Sequence, residues 1–399
     1  MKKLDLPGPM CTRVPKSKGV QKLDFIFFDA GGGHRAAAHA LRAVIERQGR
    51  PWEVRLVNLQ ELLDSLDVFR KLTGLRLQDL YNLMLKRGWT LGSPQLAGGM
   101  HLVIRMFHPA QVRLLRRFWA QSRPDLVVSL VPNFNRALGE SLRRERPGTP
   151  LVTVLTDLAD YPPHFWIERQ EQFLICGTAR AVEQARRLGH PAERIFRASG
   201  MILNPRFYEP LEVDRAAERR RLGLAPERPT GLVLFGGEGS AVMREIARRL
   251  DTQLILICGH NRKLAEDLRA MRRGAPTHVE GFTKEVPYFM RLADFFIGKP
   301  GPGSISEALA MKLPVIVERN AWTLPQERYN ADWIREQQVG LVLRNFRGIA
   351  RAVEELLRPE NYARFRAHAA ALENQAVFEI PEILEKILES CEISPSSAC

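Results

Sequence analysis

The sequence predicts an α/β protein of two β/α/β domains facing each other across a cleft. Three observations predict it. Short apolar runs alternate with helical patterns over most of the chain. Glycine-rich turns follow those runs in both halves, at 31–33, 236–239 and 298–303. The alternation is interrupted by a helical, basic region at 60–123 and then broken by Asn204, Pro205 and Pro210, before a charged stretch from Glu212 to Arg228. These features divide the chain into a flexible N-terminus (1–20), a first domain (21–210) with a helical basic insert (60–123), a linker (211–229), a second domain (230–350), C-terminal helices (351–390) and a tail (391–399).

Composition sets bounds on function. With 399 residues, 45% hydrophobic and 26% charged, the chain is long enough for two cores and is neither disordered nor repetitive. Its net charge of +14 favours anionic partners. Five cysteines, an odd number without metal spacing, read as free thiols in a reducing compartment. Residues 1–20 contain no apolar core of a signal peptide, and no window reaches the roughly 18 apolar residues of a membrane span. A cytoplasmic or peripheral protein is expected, with any membrane contact made by surface helices.

The first domain opens with the apolar run Leu23–Phe28, the loop Ala30–His34 and an alanine-rich helix through Ile45. No GK[ST] follows, so this is not a P-loop. Gly31, Gly33 and Ala36 satisfy GxGxxA, but the next strand, Trp52–Val57, ends in Asn58 where a ribose-binding acid would be expected. A lone histidine at a helix start is more often a solvated neighbour of the cap, but His34, after three glycines, can reach into a cleft and titrate near neutral pH, and the glycine loop favours that reading. In the insert, His101 to Arg123 carries five arginines and no acid. Val112, Leu114, Leu115, Phe118 and Trp119 share one helical arc, with Arg113, Arg116 and Arg117 opposite. Such a helix suits a membrane interface, although a core helix with a solvated arginine face is the plainer reading. Asp125–Leu130, Leu151–Leu155, Phe173–Cys176 and Ile195–Ala198 continue the strand rhythm. The loop from Thr156 to Trp166, with Asp157, Asp160 and His164, lies at a strand end, where parallel sheets place ligands.

The second domain repeats the pattern with Gly231–Phe235, Gln253–Cys258, His278–Gly281 and Phe295–Ile297. The last runs into GKPGPGSISEALAM, a turn and then a helix read as opened by Ser304. A glycine turn entering a helix is an anion site, because the backbone approaches closely and unpaired N–H groups face the ligand. Glu307, one turn in, can accept two hydrogen bonds from a ribose diol or merely complement the helix dipole.

Taken in order, GGGHRAAA, TDL with its aromatic-rich histidine loop, GGEGS, CGHN, GF, GKPGPGSISEAL and LPQERYN resemble the two-domain GT-B glycosyltransferases of family 28. The likeness, over roughly residues 22–350, is to the monogalactosyldiacylglycerol synthases and processive diacylglycerol glucosyltransferases. It implies two Rossmann-like domains and transfer of a hexose from a UDP-sugar, UDP-galactose or UDP-glucose, to a diacylglycerol-type lipid. Residue by residue, it implies that Gly32, Gly33 and His34 edge the site, with His34 activating the acceptor hydroxyl and Asp157 or Asp160 as rival bases. Phe282 would present its backbone to uracil and Glu307 would hold the ribose. Gly237, Gly239, Ser240, Gly303 and Ser304 would surround the diphosphate, and Gln326 and Glu327 would address the sugar. Gly259, His260 and Asn261 would reach toward the donor. The family often has PGQE where this chain has Leu324–Glu327, which bears on sugar preference.

No Asp-x-Asp occurs, so nothing in the sequence calls for a divalent metal or another cofactor; fixed N–H dipoles can stabilise the departing diphosphate in an inverting transfer. The basic helix 101–123 implies an anionic membrane surface as partner, anionic lipid as an activator, and a peripheral position on the inner face of the cell membrane. Two other readings are a UDP-sugar 2-epimerase or other non-lipid enzyme of the same architecture, and a non-catalytic nucleotide or nucleic-acid binder. The basic Trp-bearing insert argues against the first. Against the second, the aromatics lie on apolar helix faces rather than as stacking platforms, so no nucleic acid is expected.

Overall fold

The computed structural model describes residues 19–29, 32–63, 104–161, 165–210, 212–321 and 323–393. The expectations placed on Gly31, His164, the N-terminal segment, the end of the tail and most of the basic insert lie outside them.

Two separate six-stranded sheets carry the two domains, and every strand pairing is parallel. The first holds β1 (Gln21–Phe27), β2 (Trp52–Asn58), β3 (Leu126–Ser129), β4 (Leu151–Val154), β5 (Phe173–Cys176) and β6 (Ile195–Arg197), in the order β2-β1-β3-β4-β5-β6. The second holds β7 (Thr230–Leu234), β8 (Gln253–Ile257), β9 (Thr277–Glu280), β10 (Phe295–Gly298), β11 (Val315–Glu318) and β12 (Gly340–Leu343), in the order β12-β11-β10-β7-β8-β9. β11 and β12 are additional to the strands read from the sequence. Each is a four-residue run, too short to show a period.

Central strands such as Leu232–Val233 and Phe295–Ile297 are fully buried, as a sheet covered by helices on both faces requires. Each sheet reverses its winding direction once, between β1 and β3 and between β7 and β10. The crevice for a ligand lies at such switch points.

The final helix, Ala376–Ile393, crosses back to the first domain. Its Val377, Ile380, Leu384 and Ile387 share a core with Leu41, Val44 and Ile45 of the helix Gly33–Arg47. The crossing is fastened by Asn374 Nδ2 donating to the Met201 carbonyl (3.0 Å) and the Gln375 N–H donating to Ser199 Oγ (2.6 Å). A Cβ on Gly200 would lie 2.6 Å from Asn374 Cγ, so the clamp needs glycine there.

The helix His108–Ser122 resolves the two readings of the basic stretch in favour of packing. Val112, Leu115 and Trp119 are buried in a core with Ile26, Val127 and Leu138, and Trp119 Nε1 donates to Ser141 Oγ (2.9 Å). Leu114 and Phe118 pack at its edge. This corrects the expectation of an apolar face for acyl chains: the domain's own sheet takes it up. The exposed face carries Arg113, Arg116 and Arg117. Among the described residues, no helix is long and apolar enough to cross a membrane.

Candidate active site

The amino-domain side of the site grows from the end of β1. Gly32 caps the following helix at φ 78°, a left-handed conformation natural to glycine, and His34 is the second residue of that helix. Its Nδ1 lies 3.0 Å from Thr156 Oγ1, just beyond β4, and its ring lies 5.8 Å from that of the fully buried Trp166. Burial at the base of the cleft pushes the imidazole down to about 4, opposed by a hydrogen bond to the Leu130 backbone. At neutral pH the ring is therefore uncharged and able to accept a proton.

Asp157 adjoins this group. Trp166 Nε1 donates to its Oδ2 at 2.8 Å, and burial pushes its carboxyl up to about 7 despite that bond. Asp160 is placed differently. Its Oδ1 accepts from the Trp166 N–H (2.7 Å), and the Ile167 and Tyr161 N–H groups also bond to it. That carboxylate folds the loop back on itself, so the structure ties it to the scaffold rather than to an acceptor hydroxyl.

The carboxy-domain side is assembled from three glycine turns packed on one another. The turn after β7 contains Gly237, Gly239 (φ 60°) and Ser240, and the turn after β8 contains Gly259 (φ 59°), His260 and Asn261. A Cβ on Gly259 would fall 2.1 Å from the Gly237 carbonyl oxygen, which instead accepts from the His260 N–H (2.8 Å). Asn261 is a helix cap: its Oδ1 accepts from the Leu264 N–H at 3.0 Å. Its Nδ2 donates to the Glu238 carbonyl of the turn after β7 (3.4 Å), so the side chain links these two turns. His260 instead stacks on Phe282, which follows β9, with centroids 4.1 Å apart and planes at 17°. Phe282 remains 55% exposed, an aromatic surface at the rim of the sheet.

The third turn, after β10, leads into the helix Pro302–Ala310, capped by Gly301 with Pro302 in its first turn. Ser304 is therefore not the cap but the third residue of the helix, within its first turn, its Oγ near the Gly301 carbonyl (3.4 Å), beside exposed Gly303. Glu307 follows on the same helix. Burial pushes its carboxyl up to about 7, and among the described residues no protein donor is placed on it. Glu327 is buried and pairs with Lys299 (Nζ–Oε1 2.9 Å), while Gln326 beside it is half-buried. Asp157, across the cleft, lies within electrostatic reach of both, repelled by Glu327 and attracted by Lys299.

The structure thus groups His34 and Asp157 around Trp166 in one domain and brings Asp157 within electrostatic reach of Glu327 and Lys299 of the other, whose Gly303, Ser304 and Glu307 lie on the helix after the same turn. Sequence reasoning missed Thr156, Trp166 and Lys299. Thr156 and Lys299 sit inside motifs it singled out, but their partners are distant in the chain.

Comparisons with known proteins agree with the two-domain fold. The glycosyltransferase family 28 C-terminal domain is recognised over residues 238–380. A probable monogalactosyldiacylglycerol synthase 2 of Oryza sativa subsp. japonica is 28% identical, covering 93% of this chain and 82% of its own. Monogalactosyldiacylglycerol synthase 1 of Arabidopsis thaliana is 26% identical over 95% and 73%. Among solved structures, Acinetobacter baumannii MurG superposes with a TM-score of 0.61 at 12% identity, over 92% of this chain and 99% of that one. Arabidopsis thaliana UGT89C1, complexed with UDP, gives 0.58 at 14%, over 93% and 99%. At such identities the structural likeness speaks for the fold, which is GT-B.

Proposed function

From the premise that this chain is a GT-B glycosyltransferase of the family 28, monogalactosyldiacylglycerol synthase type, we propose that it moves a hexose from a UDP-sugar to diacylglycerol or a related lipid. The observation that carries the reading is the grouping of a neutral His34, backed by Thr156, with Asp157, which lies within electrostatic reach of Glu327 and Lys299 of the other domain. The relatives named as galactolipid synthases support the lipid acceptor.

In this reading the diphosphate lies over the turns at Gly237, Gly239 and Ser240 and at the helix start by Gly303 and Ser304, where N–H groups and the helix dipole favour negative charge. Glu307, on which no donor is placed among the described residues, receives the ribose hydroxyls, and Phe282 marks the uracil edge. Gln326 and Glu327 meet the sugar. His34 removes the proton from the acceptor hydroxyl as its oxygen bonds to the anomeric carbon, and the bond to the β-phosphate oxygen breaks with its electron pair leaving on UDP. A single displacement of this kind inverts the anomeric centre. Asp157 is the rival base.

The protein acts on the inner face of the membrane in this proposal, and the exposed Arg113 and Arg117 meet anionic headgroups by charge alone, since the apolar arc is buried. The test is UDP release from UDP-galactose and, separately, UDP-glucose, with vesicles containing or lacking diacylglycerol. Release that requires diacylglycerol supports the reading. Release indifferent to it points to the non-lipid alternative.

A further inference from the structure

Two helices meet across the cleft, one from each domain, and each is fastened to one half of the candidate site. The helix Ala179–Arg187 follows β5. Thr178, which caps it, donates from its hydroxyl to the Leu158 carbonyl. Gln184 exchanges two hydrogen bonds with the Asp160 backbone, accepting from its N–H (2.9 Å) and donating to its carbonyl (2.8 Å). This helix and the loop that carries Asp157 are therefore one unit. In the second domain the short turn Pro325–Glu327 runs straight into the helix Arg328–Glu336. Fully buried Asn330 of that helix donates to the Pro300 carbonyl (2.8 Å), which ties its start to the turn after β10. Arg180 and Tyr329 join the two helices. The guanidinium lies over the phenol ring, 5.9 Å from its centroid, while the Tyr329 hydroxyl donates to Glu336 Oε2 (3.1 Å). At this contact a cavity of about 190 Å³ separates the domains, lined by Leu158 and Arg180 on one side and by Ser306, Tyr329 and Trp333 on the other.

We propose that Arg180 and Tyr329 are positioning residues for the transfer, a cross-cleft contact that sets how closely the acceptor-side loop stands to the donor-sugar loop. The inference rests on the reading of this cleft as a hexosyltransferase site. Displacement at the anomeric carbon needs the acceptor oxygen aligned with it, and a misplacement of about 1 Å can cost roughly 10²-fold in rate. The groups that set this alignment come from different domains, His34 and Asp157 from one and Gln326 and Glu327 from the other. An unfilled gap does not fix their spacing by packing. A guanidinium on an aromatic face does, because the attraction holds only while the cation stays close to the ring. Tyr329 continues the helix that Glu327 begins, and Arg180 continues the one that Thr178 fastens to the neighbour of Asp157. Between partly exposed groups such a contact is weak, so it shifts the balance between near and separated domains without locking it.

A contact that merely stabilised the fold would move melting and nucleotide binding together with turnover. Three quantities are therefore measured on the full chain: kcat for hexosyl transfer to diacylglycerol vesicles, calorimetric UDP affinity and Tm. The variants are Arg180→Gln, Tyr329→Leu, the two combined, and Tyr329→Phe, which keeps the ring but loses the bond to Glu336. Each of the first two is expected to lower kcat by about two- to fivefold while UDP affinity, a property of the second domain in this reading, and Tm stay at wild type. The combined variant is expected to be no worse than either alone, since both remove one contact. Tyr329→Phe is expected to match wild type. Losses that multiply in the combined variant, a loss in Tyr329→Phe equal to that in Tyr329→Leu, a parallel loss of UDP binding, or full activity in both single variants overturns the proposal while the transferase reading stands. A wild type that forms no hexosyl lipid overturns the reading beneath it, and the proposal with it.

Discussion

His34 Nδ1 lies 3.0 Å from Thr156 Oγ1, a contact between residues 122 apart in sequence that fixes the imidazole at the mouth of the first sheet. With the ring pushed down to about 4 by burial, His34 acting as base gives a kcat/KM that is full above that value and is lost as pH falls through it. Asp157 acting as base gives a kcat/KM still rising through about 7. The expected profile is flat from pH 6 to 8, with His34→Ala lowering kcat by roughly 10²–10⁴-fold. A limb near 7 that vanishes in Asp157→Asn would transfer the role.

Trp166 joins the two candidate bases, donating to Asp157 and lying against His34. Trp166→Phe keeps an aromatic ring but leaves a buried carboxylate oxygen without this donor, at a cost of about 1–3 kcal/mol. Thermal denaturation should show the lowered Tm. The Asp157 carboxyl should titrate still higher, read from the carboxyl stretch by difference infrared spectroscopy. An unmoved titration would mean that another group supports it.

Glu307 has a folded-state pKa raised to about 7 by burial. A raised carboxyl favours folding at low pH and loses that contribution as pH climbs through the folded value. Asp157 and Asp160 carry shifts of the same sign, so Tm without ligand should fall between pH 5 and 8. Glu307→Gln should flatten part of that fall, by about 2–4 °C for each kcal/mol recovered, and should abolish UDP binding. A variant with a wild-type pH dependence would show that Glu307 is solvated in solution.

Gly259 combines a left-handed backbone with a neighbour that leaves no room for a side chain. Gly259→Ala must move the Gly237 turn or unwind its own, at a cost of roughly 1–2 kcal/mol for the backbone alone. UDP affinity should fall together with Tm. Gly303→Ala, where nothing lies within 4 Å, is the contrasting substitution and should leave Tm near wild type.

Arg113 and Arg117 are exposed on the helix whose other face is core. Replacing both with glutamate should leave Tm within experimental error and reduce sedimentation with anionic vesicles, with a weaker dependence on salt. Unchanged sedimentation would place the membrane surface elsewhere.

Much of this arrangement is legible in the residues, for a physical reason. Buried parallel strands must be apolar along their length, and β1, β7, β8 and β10 also end in glycine-rich turns, so they announce themselves with their loops. Side-chain pairing is not so written. Asp160 and Asn261 have the residue types of ligands, but the same oxygens satisfy loop and helix N–H groups, and the sequence does not distinguish the two uses. The arcs of the helix His108–Ser122 are readable, whereas which arc meets protein is decided by Val127 and Leu138 far along the chain. The helix Ala376–Ile393 likewise shows an apolar face without showing that its partner is the first domain. Lys299 sits in plain view within GKPGPG, but its value depends on Glu327, whose approach is set by tertiary structure.

The most direct test incubates purified protein with anionic vesicles containing diacylglycerol and a UDP-α-hexose, then identifies the lipid product by mass and its anomeric proton by NMR. The account predicts a new hexosyl diacylglycerol in the β configuration, absent with His34→Ala. An α-linked product would contradict single displacement from the opposite face. No lipid product, with the donor hydrolysed or epimerised, would contradict the lipid acceptor itself.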